Sequence, residues 1–302
     1  MKYIKSFIKW AGGKNKLLPY FFDHFPKQLL QNKCNYFEPF VGGGVVVFNL
    51  IANFHLSNVY ICDINKDLIN CYKVIKCHVK ELIKKLDILN FEYSIANDLI
   101  AKKEIFNKYK DQYNQIKADN KDAKITKASL FIFLNHTCFN GLYRVNSSNL
   151  FNVPFGKYLH PQIFDKNHLL LLSKLLKHVH IYCAPYFRIK KWFGTNNFAY
   201  FDPPYLPSSK TKNFTSYTKE NFSLQDQTKL AKFLNLIDSK CLFALSNSAA
   251  ILDNYDLNKL YSHFNVNICN TVHSISCRGN SRTSHQEVFI TNYPINGVVN
   301  ND

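Results

Sequence analysis

Short apolar runs recur along this chain, and each ends at a turn residue or an acid. Residues 34–38 lead into Pro39-Phe40-Val41-Gly42-Gly43-Gly44, and residues 58–62 lead into Asp63. Further runs fall at 178–183, 197–201, 241–245, 266–276 and 287–292. Runs of this length and composition read as strands buried on both faces. Between them, residues 45–53, 64–76, 168–176 and 223–237 repeat their apolar positions at helical spacing. The alternation predicts an α/β fold, a doubly wound and mostly parallel sheet with ligands at the carboxyl ends of its strands.

Residues 77–165 break the rhythm. Residues 84–117 are charged and helical in pattern, 119–124 read as a polar loop, and 126–136 read as a more apolar helix. A polar, aromatic segment with one glycine follows at 138–146. The pattern predicts a mainly helical domain, residues 77–165, inserted into a core domain of residues 1–76 and 166–302. No internal repeat is visible.

Composition narrows the class. A chain of 302 residues has room for one large core and a smaller appended domain. No stretch approaches the ~20 apolar residues of a membrane span, and Met1 to Ser6 has no signal-peptide core, so a cytoplasmic protein is expected. Nine cysteines without a CxxC pair or ligand spacing are expected to be reduced thiols packed as small apolar groups, with no disulfide and no metal site. The net charge of +17 points to a polyanionic partner, most simply nucleic acid.

The most specific stretch is Asp202-Pro203-Pro204-Tyr205, directly after the run 197–201. Two prolines stop a strand and stiffen the turn, which fixes a carboxylate, a carbonyl and a ring in one cluster. Such a cluster suits a planar ring bearing an amino group, stacked on Tyr205 and donating to Asp202 and the Pro203 carbonyl. An ordinary strand-ending turn is the plainer reading. Upstream, the 38–44 turn and Asp63 form a nucleotide-binding arrangement, in which glycines allow close backbone approach and the acid accepts ribose hydroxyls. A nicotinamide dinucleotide and S-adenosylmethionine both fit. The missing GxGxxG spacing and the acids Glu38 and Asp202 favour a sulfonium over a diphosphate, although Glu38 could instead serve a helix N-terminus.

Three separated segments, Lys9-Trp10-Ala11-Gly12-Gly13-Lys14, Phe37-Glu38-Pro39-Phe40-Val41-Gly42-Gly43-Gly44 and Asp202-Pro203-Pro204-Tyr205, in this order, resemble the Dam-type DNA adenine-N6 methyltransferases over nearly the whole chain. The resemblance implies the seven-strand methyltransferase sheet and an S-adenosylmethionine site. That site would comprise Trp10, Ala11, Gly12, Lys14, Glu38, Pro39, Phe40, Gly42, Gly43, Asp63 and Asp202. It implies catalysis by Asp202, Pro203, Pro204 and Tyr205 on an adenine flipped out of duplex DNA, within GATC. The insert is similar to the family's target-recognition domain. By that likeness Asn140 and Leu142 probe the base stack, Arg144 reads a guanine, and Pro154 and Tyr158 contact bases or backbone. The segment Ser147-Ser148-Asn149-Leu150 lacks basic residues of closer family members, which leaves the exact target sequence open.

Each residue also has a duller role: Trp10 as a core aromatic, Lys14 as a solvated charge, Arg144 as a phosphate contact that positions without specifying. Arg278, Asn280 and Arg282 are assigned to phosphate, and residues 210–219 either to a loop that closes over the flipped base or simply to a mobile loop. Double-stranded DNA is the expected partner, with a monomer as the default state, a nucleoid location in a prokaryotic cell, and room for a cognate restriction endonuclease. Three rivals stand beside this reading. They are a cytosine-N4 methyltransferase, a nicotinamide-dependent oxidoreductase, and a DNA-binding protein without catalysis.

Overall fold

The computed structural model describes residues 3–31, 34–117, 119–205, 222–271 and 285–295. Arg278, Asn280, Arg282 and the 210–219 stretch lie outside the described residues.

Seven strands form one sheet: β1 (Asn35–Glu38), β2 (Val59–Asp63), β3 (Val179–Cys183), β4 (Asn197–Phe201), β5 (Leu242–Ser248), β6 (Asn265–Thr271) and β7 (His285–Thr291). Their order is β3-β2-β1-β4-β5-β7-β6. The first five in the chain run parallel, and β7 lies antiparallel between β5 and β6. Of the expected strand 266–276, the described part ends at Thr271.

Burial on both faces explains the unbroken apolar runs. In β4, Phe198 and Tyr200 join the core on one side, while Ala199 and Phe201 join the core on the other. Each fully buried large side chain contributes roughly 1.5–3 kcal/mol relative to exposure. The first side is covered by α1 (Leu18–His24), α3 (Val45–Asn53) and α7 (Lys166–Leu175), and the second by α8 (Leu224–Ile237) and α9 (Tyr255–Tyr261). The short α2 (Lys27–Leu30) precedes β1.

The insert departs from its expected outline in three places. The helix expected at 64–76 continues as α4 (Lys66–Ile95), bent at His78 where φ is −138° and ψ is 33°. The charged segment 84–117 is not one helix. It divides between α4 and α5 (Leu99–Gln115), which starts where the Asp98 carboxylate accepts from the amides of Ile100 and Ala101. Residues 119–124 are only partly loop: Asn120 accepts from the Ala123 amide and opens α6 (Lys121–Thr137) one turn early. Lys121, Asp122 and Lys124 supply polar character there without ending the helix, because only its later turns are buried. These helices share the first core with the sheet, through residues such as Leu86, Phe106 and Phe133.

Cys34, Cys62, Cys71, Cys138 and Cys241 are buried thiols, but Cys77 and Cys183 are exposed. The expected packing of Cys183 fails because β3 is an edge strand.

Candidate active site

The strand order reverses between β1 and β4, and at such a point the crossovers diverge and open a crevice beyond the carboxyl ends. Glu38 ends β1, Asp63 ends β2, and Asp202 follows β4 directly. The antiparallel β7 brings a further acid to the same edge: Glu287 lies opposite Ser248, the last residue of β5.

Lys14 lies at the centre of this crevice with 4% of its surface exposed, which rules out a solvated charge. Its Nζ is 3.0 Å from Asp202 Oδ1 and 3.8 Å from Glu287 Oε2, and donates to the Gly12 carbonyl at 3.1 Å. The same ammonium sits 4.7 Å from the centroid of the Tyr205 ring. The Tyr205 hydroxyl donates to Glu287 Oε2 at 2.9 Å. The Pro204 carbonyl accepts from Gln227 Nε2 at 3.0 Å, and Gln227 is held in turn by Asn247. The tetrapeptide is thus fixed at its first, third and fourth residues.

The turn after β1 is clamped as firmly. Asp63 Oδ2 accepts from the Gly42 amide at 3.2 Å, and the Tyr72 hydroxyl donates to the Gly42 carbonyl at 2.8 Å. Gly42 has φ +47°, and a Cβ there would come 2.8 Å from Trp10 Nε1. Only glycine allows this approach. Trp10 is half-buried, Ala11 and Gly12 are exposed, Pro39 and Gly43 are buried, and Phe40 stacks on Tyr186.

Three carboxyls of the crevice hold protons more tightly than usual. Burial pushes Glu38 up to about 8, with Asp202 adding to the rise and the Tyr36 hydroxyl, 2.6 Å away, opposing it. The Val47 amide also bonds Glu38, so this acid does serve the N-terminus of α3. Burial raises Asp63 to about 6 against the pull of the Asn65 and Gly42 amides. It raises Asp202 to about 6, where Lys14 opposes the rise and Glu287 adds to it.

The candidate recognition residues gather in one irregular hairpin, pinned by bridges between Cys138 and Phe155 and between Val145 and Phe151. Asn140 is exposed with φ +53°, Leu142 and Arg144 are half-buried, and Pro154 is exposed. Arg144 donates from Nε to Asn152 Oδ1 at 2.8 Å and from a terminal nitrogen to the Asn152 carbonyl at 3.3 Å. The Tyr158 ring lies 4.6 Å from Lys9 Nζ. Asn135, at the end of α6, accepts from the Lys9 amide and donates to the carbonyls of Lys9 and Gly141. This clamp ties the segment carrying Trp10 to the hairpin carrying Arg144.

Residues 10–275 match the family described as D12 class N6 adenine-specific DNA methyltransferase. The chain belongs to this family. The methyltransferase is 43% identical to the type II methyltransferase M.MjaIII of Methanocaldococcus jannaschii, over 96% of this chain and 99% of that one. It is 35% identical to the type II methyltransferase M1.LlaDCHI of Lactococcus lactis subsp. cremoris, over 96% of both. A DNA adenine methylase of Escherichia coli K12 is 32% identical over 99% of this chain and 98% of its own. As a family member the methyltransferase transfers a methyl group to the N6 amino group of adenine in DNA, with S-adenosylmethionine as the methyl donor. Among the described residues, none of its His, Cys, Asp and Glu side chains cluster to hold a metal ion, and no helix is long and apolar enough to cross a membrane.

Sequence reasoning gave no role to Asn135, Gln227 and Glu287. A lone acid in the apolar strand of β7 was the available signal for Glu287. Its place beside Lys14 depends on the antiparallel pairing, which one strand alone does not specify.

Proposed function

We infer that this methyltransferase modifies adenine within GATC by flipping the base into the crevice between β1 and β4. The observation that carries the reading is the Lys14–Asp202 pair at the switch point, beside a Tyr205 ring whose hydroxyl bonds both Glu287 and Asp202.

The chemistry of the crevice fits S-adenosylmethionine. Asp63 and Asp202 can accept from ribose hydroxyls and face a cation, whereas Glu38, raised to about 8, is largely neutral at pH 7; the turn after β1 is packed by Trp10 and Tyr72 in place of a phosphate cradle. Asp63 would hold the ribose. Trp10, Ala11, Gly12, Lys14, Glu38, Pro39, Phe40, Gly42, Gly43 and Asp202 would line the rest. The bound donor supplies an electrophilic methyl on sulfur.

Extrusion of the adenine costs a few kcal/mol, and stacking on Tyr205 offsets about 1–3 kcal/mol of it. Lys14 is set against the Tyr205 ring, so the base would take the ring's open side. Asp202 and the Pro203 carbonyl accept the two amino hydrogens and localise the nitrogen lone pair. The raised proton affinity of Asp202 also suits it to receive the proton that the methylated nitrogen sheds. Positioning and electrostatics then supply most of the acceleration. On the DNA side, Arg144 is pre-set by Asn152 to address a guanine, with Asn140, Leu142, Pro154 and Tyr158 around the neighbouring pairs. Residues 77–165 serve as the target-recognition domain. The enzyme acts as a cytoplasmic monomer on chromosomal DNA, beside a cognate restriction endonuclease. The type II names of two relatives support that pairing.

The test is incubation with duplex DNA and methyl-labelled S-adenosylmethionine, followed by sequencing of the modified bases. N6-methyladenine confined to GATC is the expected result, and modification in another motif discards GATC. Arg144→Ala is expected to relax discrimination at one guanine by about 1–3 kcal/mol. A uniform loss across sequences would reassign Arg144 to phosphate. Tyr205→Ala is expected to lower kcat/KM roughly ten- to a hundredfold through lost stacking. Tyr205→Phe is expected to lose only a few-fold, through the Glu287 bond. Equal losses in the two variants argue against stacking.

A further inference from the structure

A carboxylate outside the catalytic crevice anchors the recognition hairpin against the Trp10 segment. Asp67, in the first turn of α4, accepts at Oδ2 from the hydroxyls of Tyr113 at 2.5 Å and Tyr143 at 3.3 Å. Tyr113 comes from α5 and Tyr143 from the hairpin, and both are buried. Lys127 faces the same group, donating to the Tyr113 carbonyl at 2.6 Å with its Nζ 3.8 Å from that ring's centroid. Along the hairpin, Tyr143 and Val145 point inward and Arg144 between them is less buried, so the seat of Tyr143 sets where Arg144 emerges.

The Tyr143 ring also stacks on Trp10, with centroids 6.1 Å apart and planes 25° from parallel. Trp10 in turn packs on Gly42, whose amide donates to Asp63. A chain of contacts thus runs from Asp63 through Gly42, Trp10 and Tyr143 to Arg144. Its middle is fixed by Asp67, four residues beyond Asp63.

We propose that Tyr143, anchored by Asp67, is a positioning residue that couples occupancy of the Trp10 pocket to the setting of the Arg144 hairpin. A ligand that fixes the indole fixes the stacked phenol, and the phenol cannot yield without breaking its bond to Asp67. Cofactor and target DNA then each raise the affinity for the other by one common factor, as linkage requires. The proposal rests on the placement of the cofactor at Trp10 made above.

The experiment measures the Kd of S-adenosylhomocysteine with and without a short duplex carrying the site identified by labelling. The wild-type enzyme is expected to show coupling of about tenfold. Tyr143→Leu is expected to bring the factor below about twofold, and Tyr143→Phe, which keeps the ring without its anchor, to an intermediate value. A purely structural role would lower the melting temperature and leave the factor unchanged. Undiminished coupling in a folded Tyr143→Leu variant overturns the proposal. If that variant does not fold, undiminished coupling in Tyr143→Phe overturns it equally, as does a wild-type factor of one. Trp10→Ala is a separate arm: unchanged binding of S-adenosylhomocysteine without DNA refutes the cofactor placement, independently of the coupling ratio.

Discussion

Asp202→Ala is expected to lower single-turnover methyl transfer by about a thousandfold while leaving specific duplex binding within a few-fold of wild type. In the proposed mechanism this carboxylate is one of the two acceptors of the amino hydrogens, and the Pro203-Pro204 turn stiffens its seat. Asp202→Asn is expected to fall between, since an amide oxygen accepts a hydrogen bond without the charge. Near-normal turnover in the alanine variant removes Asp202 from the chemistry. The same residue sets a pH dependence. In the proposed mechanism the carboxylate acts ionised, so transfer is expected to fall as pH drops through about 6. Stability runs the other way. The folded state holds this proton more tightly than the unfolded chain does, so the contribution of Asp202 is greatest below its unfolded value near 4 and is lost as pH rises through about 6.

Lys14→Ala is expected to cost about 3 kcal/mol of stability at pH 8, beside a severe loss of activity. Removal of the ammonium leaves Asp202 and Glu287 facing each other with no cation between them. At pH 5 the wild-type Asp202 is already largely protonated, so the lost ion pair matters less and the deficit shrinks. Thermal denaturation of both proteins at the two pH values checks this. An equal deficit at both would mean that the pair with Asp202 contributes nothing and that Lys14 acts through its other contacts, with Tyr205, Glu287 and the Gly12 carbonyl.

The strands were legible because a sheet covered on both sides needs apolar residues at consecutive positions, as Phe198 to Phe201 show. The tetrapeptide and the glycine turn were legible because their backbone demands restrict residue choice. The helix α1 was not read, since Phe21, Phe22 and Phe25 lie in a short, aromatic-rich segment with no long period. The start of α6 was hidden by its polar first turn, and the junction of α4 and α5 hung on the single cap Asp98. Within the site, Lys14 and Asp202 were readable singly, but their 3.0 Å contact was not. Glu287 and Tyr143 act through partners far away in the chain, and only tertiary structure brings those together.

The antiparallel seat of β7 has a consequence for biosynthesis. Lys14 emerges from the ribosome early, and its partner Glu287 emerges after the whole insert and the five parallel strands. Such distant pairings close late, once intervening segments have folded. A nascent chain would present a nearly finished sheet and the whole hairpin of Arg144 before Glu287 was there to accept from the Tyr205 hydroxyl. Full activity would then arrive only with β7, when Lys14 gains its second carboxylate and the Tyr205 hydroxyl its acceptor.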